Sequence, residues 1–146
     1  MTLCGLYANR LPVMIAAMSN SPLSTAKLCG FVATRDRARA KAFYQDVLGL
    51  KLVSDDQFAV VFETGGTTLR VTPVQEYTPV QFTVAGWNVR DIEATVDGLA
   101  KAGVKFEIYS FLKQDARGIW TAPGSDAKVA WFKDPDGNVL SVAQHS

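Results

Sequence analysis

Two segments of this 146-residue chain repeat the same succession of strand and helix signals. Residues 28–50 and 83–104 each begin with a short apolar run, pass through an Arg-Asp pair and continue at helical spacing to a glycine. Asp36 and Asp91 are candidate N-caps, because a carboxylate accepts hydrogen bonds from the unpaired N–H groups of a first helical turn. A repeat of this size indicates one supersecondary unit that is used twice.

Three short strands are predicted after each helix, bounded by turn signals. Gly65-Gly66 precedes the last strand of the first copy, and Asp134-Pro-Asp-Gly-Asn precedes the last strand of the second. The predicted strands are 51–54, 58–64 and 67–73 in the first copy, and 105–109, 128–133 and 139–144 in the second.

The fold class expected from this pattern is α+β, with two βαβββ modules in a single domain. Module one covers 26–75 and module two covers 80–146, so that the domain runs over 26–146. Residues 1–25 form an N-terminal extension. Within it, the apolar run 11–18 loosely resembles a secretory signal, but it is short and only Arg10 is basic, so we expect a cytoplasmic protein.

Composition restricts the partners of the chain. Apolar residues make up 48% of the sequence, which is enough for a core, and the net charge is +1. A charge so close to zero gives no electrostatic reason to expect nucleic acid or an anionic membrane. The two cysteines, Cys4 and Cys29, lie far apart, which argues against a disulfide framework or a structural zinc site. We therefore expect a small-molecule partner.

Two motifs, one in each module, resemble the vicinal oxygen chelate superfamily. AFYQDVLGL occupies 42–50 and FKDPDGNVLSV occupies 132–142. That superfamily includes glyoxalase I, extradiol dioxygenases, fosfomycin-resistance enzymes and bleomycin-resistance proteins. The resemblance covers 26–144 and implies a cupped mixed sheet with helices outside, and a homodimer. It does not imply one reaction, because this fold supports many chemistries.

The resemblance also implies four metal-ligand positions inside the cup, which metal-using members fill with His, Gln or Glu. Cys29, Arg70, Val84 and Ser141 fall at these positions. Valine cannot ligate, arginine is a permanent cation that repels an ion, and serine is a poor ligand. The only histidine, His145, lies beyond the last predicted strand. We therefore predict neither a metal nor another cofactor.

Strand alternation predicts the side chains that face the cup. Arg70 is the most informative, because a cation in an apolar cup is costly unless an anion pairs with it. The anion is either a ligand or a nearby carboxylate, Glu63 or Glu107, and a surface position for Arg70 is a further alternative. The predicted ligand-binding residues are Cys29, Phe31, Arg70, Thr72, Val84, Asn88, Trp120, Trp131 and Ser141.

The two tryptophans of that set allow two interpretations each. Trp120 lies in the long irregular stretch 113–126 and is either a lid over the cup or an anchor of the loop. Trp131 either faces the cup or packs under the helix. Cys29 has no neighbouring histidine in the sequence that would activate it, which favours an unreactive buried thiol.

The sequence favours a metal-free binding protein, similar to the bleomycin-resistance branch, for a moderate-sized apolar or aromatic ligand with a possible anionic group. No His or Glu is predicted in the cup as a general base, so no catalytic residue is assigned. The alternative is a glyoxalase-type lyase or isomerase, or a dioxygenase, whose metal is held by other residues such as Glu63, Glu107 or Asp115. A metal-free enzyme acting through Arg70 and a regulatory module with a vestigial cup also stay open.

Overall fold

The computed structural model describes residues 21–145, so Cys4 and the run 11–18 lie outside the described part. Helix α1 (Arg37–Ala42) continues as a π-helical turn (Phe43–Val47), and helix α2 is Ile92–Lys101. The strands are β1 (Cys29–Thr34), β2 (Lys51–Asp55), β3 (Val60–Thr64), β4 (Thr67–Pro73), β5 (Thr83–Asn88), β6 (Trp120–Thr121), β7 (Lys128–Lys133) and β8 (Val139–Gln144).

Both helices begin at the predicted caps. Asp36 accepts a hydrogen bond from the backbone N–H of Arg39 at 3.1 Å, and Asp91 accepts one from that of Ala94 at 3.1 Å. Within residues 21–145, α2 has ten residues and α1 with its π-helical turn has eleven, whereas a bilayer span needs about 20. No helix of this part is long and apolar enough to cross a membrane.

The two modules have the same strand topology, which confirms the predicted repeat. The strand orders are β1-β4-β3-β2 and β5-β8-β7-β6, and in each module the first and last strands pair in parallel. No ladder joins β1 to β5 in the described residues, so the expected mixed sheet is divided into sheet one and sheet two. An open cleft of about 550 Å³ separates the facing edges, with Gly30 and Leu69 on one side and Ala85 and Asn88 on the other.

The predicted strand 105–109 is wrong. Only Phe106 of this segment bridges β7, at Phe132, and the edge of sheet two is formed by the two-residue strand β6 instead. The Gln114 side chain hydrogen bonds to backbone groups of the segment and thereby replaces the partners that a strand would supply. The remainder of the segment is consequently an irregular wall beside sheet two.

One core lies under both sheets. Tyr44 of the π-helical turn packs against Phe62 of sheet one, with ring centroids 5.9 Å apart, and Phe43 packs against Phe132 of sheet two at 6.5 Å. Because both helix-facing sides meet in this core, the opposite side of each sheet is left for ligands. We call these sides the outer face of sheet one and the outer face of sheet two.

Candidate ligand-binding site

The outer face of sheet one presents Arg70 beside an exposed phenylalanine. Arg70 of β4 lies opposite Phe31 of β1 and opposite Val61 of β3, so that the three side chains share one face. Phe31 is 64% exposed, Arg70 is half-buried and Val61 is buried. Arg70 therefore lies on a central strand between two apolar residues and not on a freely solvated loop.

Arg70 forms no hydrogen bond or ion pair with another described residue. The ion pairs of this part of the chain join Arg37 and Lys41 to Asp55, and Arg117 to Asp97. Neither carboxylate that the sequence offered as a partner, Glu63 or Glu107, takes part. The positive charge of Arg70 is left for a ligand or for solvent.

The charge of Arg70 contributes to lowering the pKa of one nearby carboxylate, Asp56. The pKa of Asp56 lies below its usual value, mainly because the backbone N–H groups of Phe58 and Ala59 donate to it, with a smaller contribution from Arg70. The hydrogen bonds measure 2.8 and 3.1 Å. Asp56 is thus already satisfied by its own turn and is exposed, so it does not neutralise the guanidinium.

A groove of about 320 Å³ adjoins this face at the end of β1. Asn138 is one of its lining residues and connects two others. The side-chain N–H of Asn138 donates to the carbonyl of Ala33 at 2.9 Å, and its side-chain oxygen accepts a hydrogen bond from the Tyr77 hydroxyl. Apolar atoms line most of its surface. The lining residues are Phe31, Val32, Ala33, Thr72, Val74, Tyr77, Val84 and Asn138.

Cys29 lies at the other end of the same face. The Thr68 hydroxyl, opposite Cys29 in the parallel register, donates to its sulfur at 3.1 Å. No side chain that could deprotonate the thiol is among its hydrogen-bond partners. The contacts give Cys29 a packing role at the start of β1.

The outer face of sheet two carries smaller side chains at the corresponding place. Ser141 of β8 lies opposite Gly86 of β5 and is only 9% exposed. A Cβ atom on Gly86 would come within 2.6 Å of the Ser141 Oγ atom. Val84 leaves the regular register, because β5 is irregular between Thr83 and Ala85, and it packs partly against the core. Asn88, opposite Ala143, is exposed.

Both tryptophans of the predicted site lie on the outer face of sheet two. Trp131 is opposite Ser141 and Trp120 is opposite Val129, and their ring centroids are 6.1 Å apart. Trp131 also meets Tyr109 at 5.8 Å, and Tyr109 meets Phe111 at 5.5 Å. These four rings form one aromatic strip, namely Trp120, Trp131, Tyr109 and Phe111.

The structure thus gathers the predicted site residues into two groups, one per sheet. Cys29, Phe31, Arg70 and Thr72 lie together on sheet one, whereas Trp120, Trp131, Asn88 and Ser141 lie on sheet two, and Val84 sits at the junction. Sequence reasoning missed Tyr109 and Phe111, because an aromatic pair in an irregular segment carries no periodicity. Tyr109 ends the predicted strand 105–109 and Phe111 lies beyond it, so that strand alternation does not predict these ring contacts.

The residues present do not fit a divalent metal. Within residues 21–145 no three His, Cys, Asp or Glu side chains are grouped so that they could hold an ion. Of the four positions implied by the resemblance, Arg70 is cationic, Val84 has no donor, Ser141 is packed over Gly86, and the Cys29 sulfur already accepts a hydrogen bond. No metal-dependent step can be derived from this donor set.

A buried polar network joins module two to module one. The Tyr44 hydroxyl donates to the Asp134 carboxylate at 2.6 Å, and Asn138 donates to the same oxygen at 2.7 Å. Burial raises the pKa of Asp134 above its ordinary value, although the hydrogen bonds it accepts oppose the shift. Burial, followed by the neighbouring Asp134 charge, raises the pKa of Tyr44, so that its hydroxyl stays a donor.

These structural features agree with a family match along most of the chain. The model of the Glyoxalase/Bleomycin resistance protein/Dioxygenase superfamily matches residues 25–142. The chain belongs to this superfamily. None of the curated protein sequences compared with the chain matches it. Membership fixes the two-module fold of this superfamily protein and leaves the reaction or ligand to be argued from its own side chains.

Solved structures of the superfamily are similar in fold. A lactoylglutathione lyase from Agrobacterium tumefaciens matches with a TM-score of 0.61 and 20% identity over 82% of this chain and 93% of that one. A genomically encoded fosfomycin resistance protein from Listeria monocytogenes matches with a TM-score of 0.65 and 9% identity over 84% and 94%. A glyoxalase/bleomycin resistance protein/dioxygenase from Alicyclobacillus acidocaldarius matches with a TM-score of 0.61 and 18% identity over 83% of this chain and 92% of that one. At these identities the likeness concerns the fold alone.

Proposed function

We propose that this superfamily protein is a binding protein that takes an organic anion on the outer face of sheet one without a metal ion. The observation that carries the proposal is the half-buried residue Arg70, whose side chain has no hydrogen-bond or ion-pair partner among the described residues and which lies opposite an exposed Phe31. A planar guanidinium presents a fork of donors that matches a carboxylate or phosphate group. Phe31 offers a surface for the apolar part of the same ligand.

The groove beside this face supports a ligand of moderate size. At about 320 Å³ it lies at the lower end of the range for small-molecule sites, and Thr72 and Tyr77 supply polar atoms among apolar walls. The proposal shares metal independence with the bleomycin-resistance interpretation of the sequence. It differs in the sign of the ligand charge, because Arg70 favours an anion and opposes a cationic drug.

Titration calorimetry with two matched ring compounds tests the proposal. 1-Naphthoate carries a carboxylate and 1-naphthamide carries a neutral amide on the same ring system. We expect saturable binding of naphthoate, weaker binding of naphthamide, and a loss of about tenfold or more in naphthoate affinity in Arg70→Ala, since a charge-assisted pair contributes about 1.5–3 kcal/mol. Arg90→Ala, which removes an exposed arginine from module two, is the matched control and leaves the affinity unchanged.

The metal-free part of the proposal has its own measurement. Elemental analysis of the purified protein and titration in the presence of EDTA are expected to show no stoichiometric transition metal and unchanged naphthoate binding. Binding that disappears with EDTA and returns with a divalent ion would instead establish the metal-dependent alternative. Equal naphthoate affinity in the parent protein and in Arg70→Ala would refute the role of Arg70.

We also propose that the protein is a homodimer, as the family resemblance implies. Large apolar side chains are exposed on the single chain, among them Leu28 at 83% and Phe82 at 67%. Exposed apolar surface of this kind favours association. Sedimentation equilibrium is expected to give twice the monomer mass of 15.8 kDa, and a monomer at all accessible concentrations would contradict this proposal.

A further inference from the structure

A separate cavity of about 180 Å³ lies on the helix-facing side of the domain, where the two modules meet. Module one bounds it with Leu48 and Leu50, just after the π-helical turn, and α2 of module two bounds it with Thr95 and Leu99. It shares no lining residue with the groove at the end of β1. The cavity is therefore distinct from the outer faces of both sheets.

The walls of this cavity are recessed and uncharged. All of its lining residues are buried or half-buried, none carries a charge, and apolar atoms form most of its surface. In this it differs from the exposed side chains of Leu28 and Phe82, which favour association of two chains. The cavity is consequently a pocket of the single chain and not part of an exposed apolar face.

One wall of the cavity is aromatic and held in place. The rings of Trp87 and Phe132, which both line the cavity, are nearly parallel, with an interplanar angle of 19° and centroids 6.5 Å apart. The indole N–H of Trp87 in module two donates to the Thr64 hydroxyl of module one at 3.0 Å. A wall fixed in this way loses little conformational entropy when a ring stacks on it.

Three of the lining side chains can donate a hydrogen bond, namely Thr64, Trp87 and Thr95. Trp87 already donates to Thr64, and the Thr95 hydroxyl donates to the carbonyl of Asp91 in its own helix at 2.7 Å. The Thr64 hydroxyl accepts from Trp87 but donates to none of the residues that the structure describes. Its proton is thus available to an acceptor inside the cavity.

We propose that this cavity is a second binding site, which takes a neutral molecule of one aromatic ring with a carbonyl or ether oxygen. The volume limits the ligand to one ring, since an engineered apolar cavity of about 150 Å³ in another protein binds benzene. The uncharged lining excludes ions, because it offers no partner for a desolvated charge. The site does not rest on the function proposed above, because it uses no residue of the Arg70 face.

Acetophenone, one ring with a ketone, is the probe for this site. The readouts are calorimetry and the NMR resonances of the indole N–H groups of the three tryptophans, with that of Trp87 assigned by its absence in Trp87→Phe. We expect a saturable shift of the Trp87 resonance and unchanged resonances of Trp120 and Trp131. Benzamidine, which has a similar shape and is a cation at neutral pH, is expected to give no saturable shift.

Two substitutions fill the cavity from opposite sides. Thr95→Leu adds bulk from α2 and Val89→Leu adds it from the end of β5, and each is expected to weaken acetophenone binding by about tenfold or more, because the space is then occupied. Thr95→Val, which keeps the volume of the threonine, is the matched control and is expected to retain the affinity.

The hydroxyl of Thr64 has its own test. Thr64→Val is expected to weaken binding of acetophenone by about fivefold and to leave binding of ethylbenzene unchanged, since only the ketone accepts a hydrogen bond. An equal effect on both ligands would refute the donor role of Thr64 and with it the acceptor in the proposed ligand.

The remaining outcomes decide whether the cavity is a site at all. The proposal is overturned if acetophenone gives no saturable shift of the Trp87 resonance in the parent protein, because the space is then a packing void. It is also overturned if the shifts fall on Trp120 or Trp131 instead, or if the folded filling variants bind acetophenone as the parent does. Arg70→Ala is expected to keep acetophenone binding and to lose naphthoate, so that failure of one proposal is distinguishable from failure of the other.

Discussion

The two modules place different side chains at the same position of the same backbone. Phe31 of module one and Gly86 of module two lie equally far before the N-cap aspartate of their helix, and each faces the last strand in parallel register. Opposite Phe31 stands Arg70, and opposite Gly86 stands Ser141. The first pair presents a large ring and a cation, whereas in the second pair Gly86 has no side chain and Ser141 is only 9% exposed.

This difference shows that the repeat determines the backbone and leaves the chemistry free to diverge. A Cβ atom on Gly86 would meet the Ser141 Oγ atom at 2.6 Å, so that module two has no room for a side chain at the place where module one carries Phe31. Module two carries its aromatic strip instead at the outer strands, where its edge segment is irregular. The outer faces of the two sheets consequently present their large side chains at different locations.

The last turns of the two modules differ in a second way. The Gly65-Gly66 turn of module one is exposed, and both glycines have positive φ, as a two-residue hairpin requires. The turn of module two is built on Asp134 and Asn138, which are buried and bond to Tyr44 and Ala33 of module one. The second turn connects the modules through buried side chains, whereas at the first turn the flanking Thr64 accepts a hydrogen bond from the Trp87 indole N–H of module two at 3.0 Å.

The largest expected effect concerns this connection. Asp134→Ala removes the acceptor of the Tyr44 hydroxyl, of the Asn138 amide and of two backbone N–H groups. Because these donors would be buried without partners, we expect a loss of about 3 kcal/mol in the free energy of unfolding, measured by urea denaturation. Asp56→Ala, which removes an exposed turn carboxylate in module one, is the control and is expected to cost clearly less. Equal losses would mean that the two turns are energetically alike.

A smaller effect on stability is expected at the Gly86–Ser141 pair of module two. Gly86→Ala places a methyl group against the Ser141 Oγ atom and is expected to cost about 2 kcal/mol through overpacking. Adding Ser141→Ala should recover part of this loss, since it removes the nearest atom. Gly98→Ala is the matched control, because a Cβ atom there meets nothing within 4 Å and alanine favours the helix. Full tolerance of Gly86→Ala would show that sheet two is less tightly packed than the geometry indicates.

The buried carboxylate of Asp134 is expected to make the stability of the folded protein depend on pH in a defined direction. Because burial raises the pKa of Asp134 in the folded protein, its contribution to stability is complete below the unfolded pKa, about 4, and is lost as the pH rises through the folded pKa. Relative to Asp134→Asn, the parent protein should therefore gain stability between pH 7 and pH 4, by about 1.4 kcal/mol for each unit of the elevation. A relative loss on acidification would show that the four accepted hydrogen bonds outweigh burial and lower this pKa.

The smallest expected effect on stability belongs to Arg70. Arg70→Met keeps much of the side-chain length and removes a charge that no described residue pairs, so that the free energy of unfolding should change by less than about 0.5 kcal/mol. Thermal denaturation measures this change, and the same variant is expected to lose naphthoate binding. A destabilisation above about 1 kcal/mol would assign Arg70 a structural role. Arg70 would then resemble the packed Ser141 of module two instead of differing from it.

Local signals in the sequence determined most of the fold. The caps at Asp36 and Asp91, the turn residues and the two motifs were sufficient to predict the modules and seven of the eight strands at approximately the right positions, because each rests on contacts between near neighbours in the chain. The same reasoning failed at 105–109, where a strand-like composition is held in an irregular path by a side chain several residues away. The sequence likewise did not predict that no hydrogen-bonded ladder joins β1 to β5, because this depends on how the two sheets pack.

The resemblance of the sequence to the superfamily also named the four candidate ligand positions, Cys29, Arg70, Val84 and Ser141, and predicted that their side chains do not suit a metal. Only the tertiary structure decided that Arg70 has no partner among the described residues, that Ser141 is packed over Gly86, and that Tyr109 and Phe111 join the two tryptophans in one strip. The physical reason is sequence separation. Tyr44 and Asp134 meet across 90 positions, and contacts between such distant residues follow from the packing of whole modules.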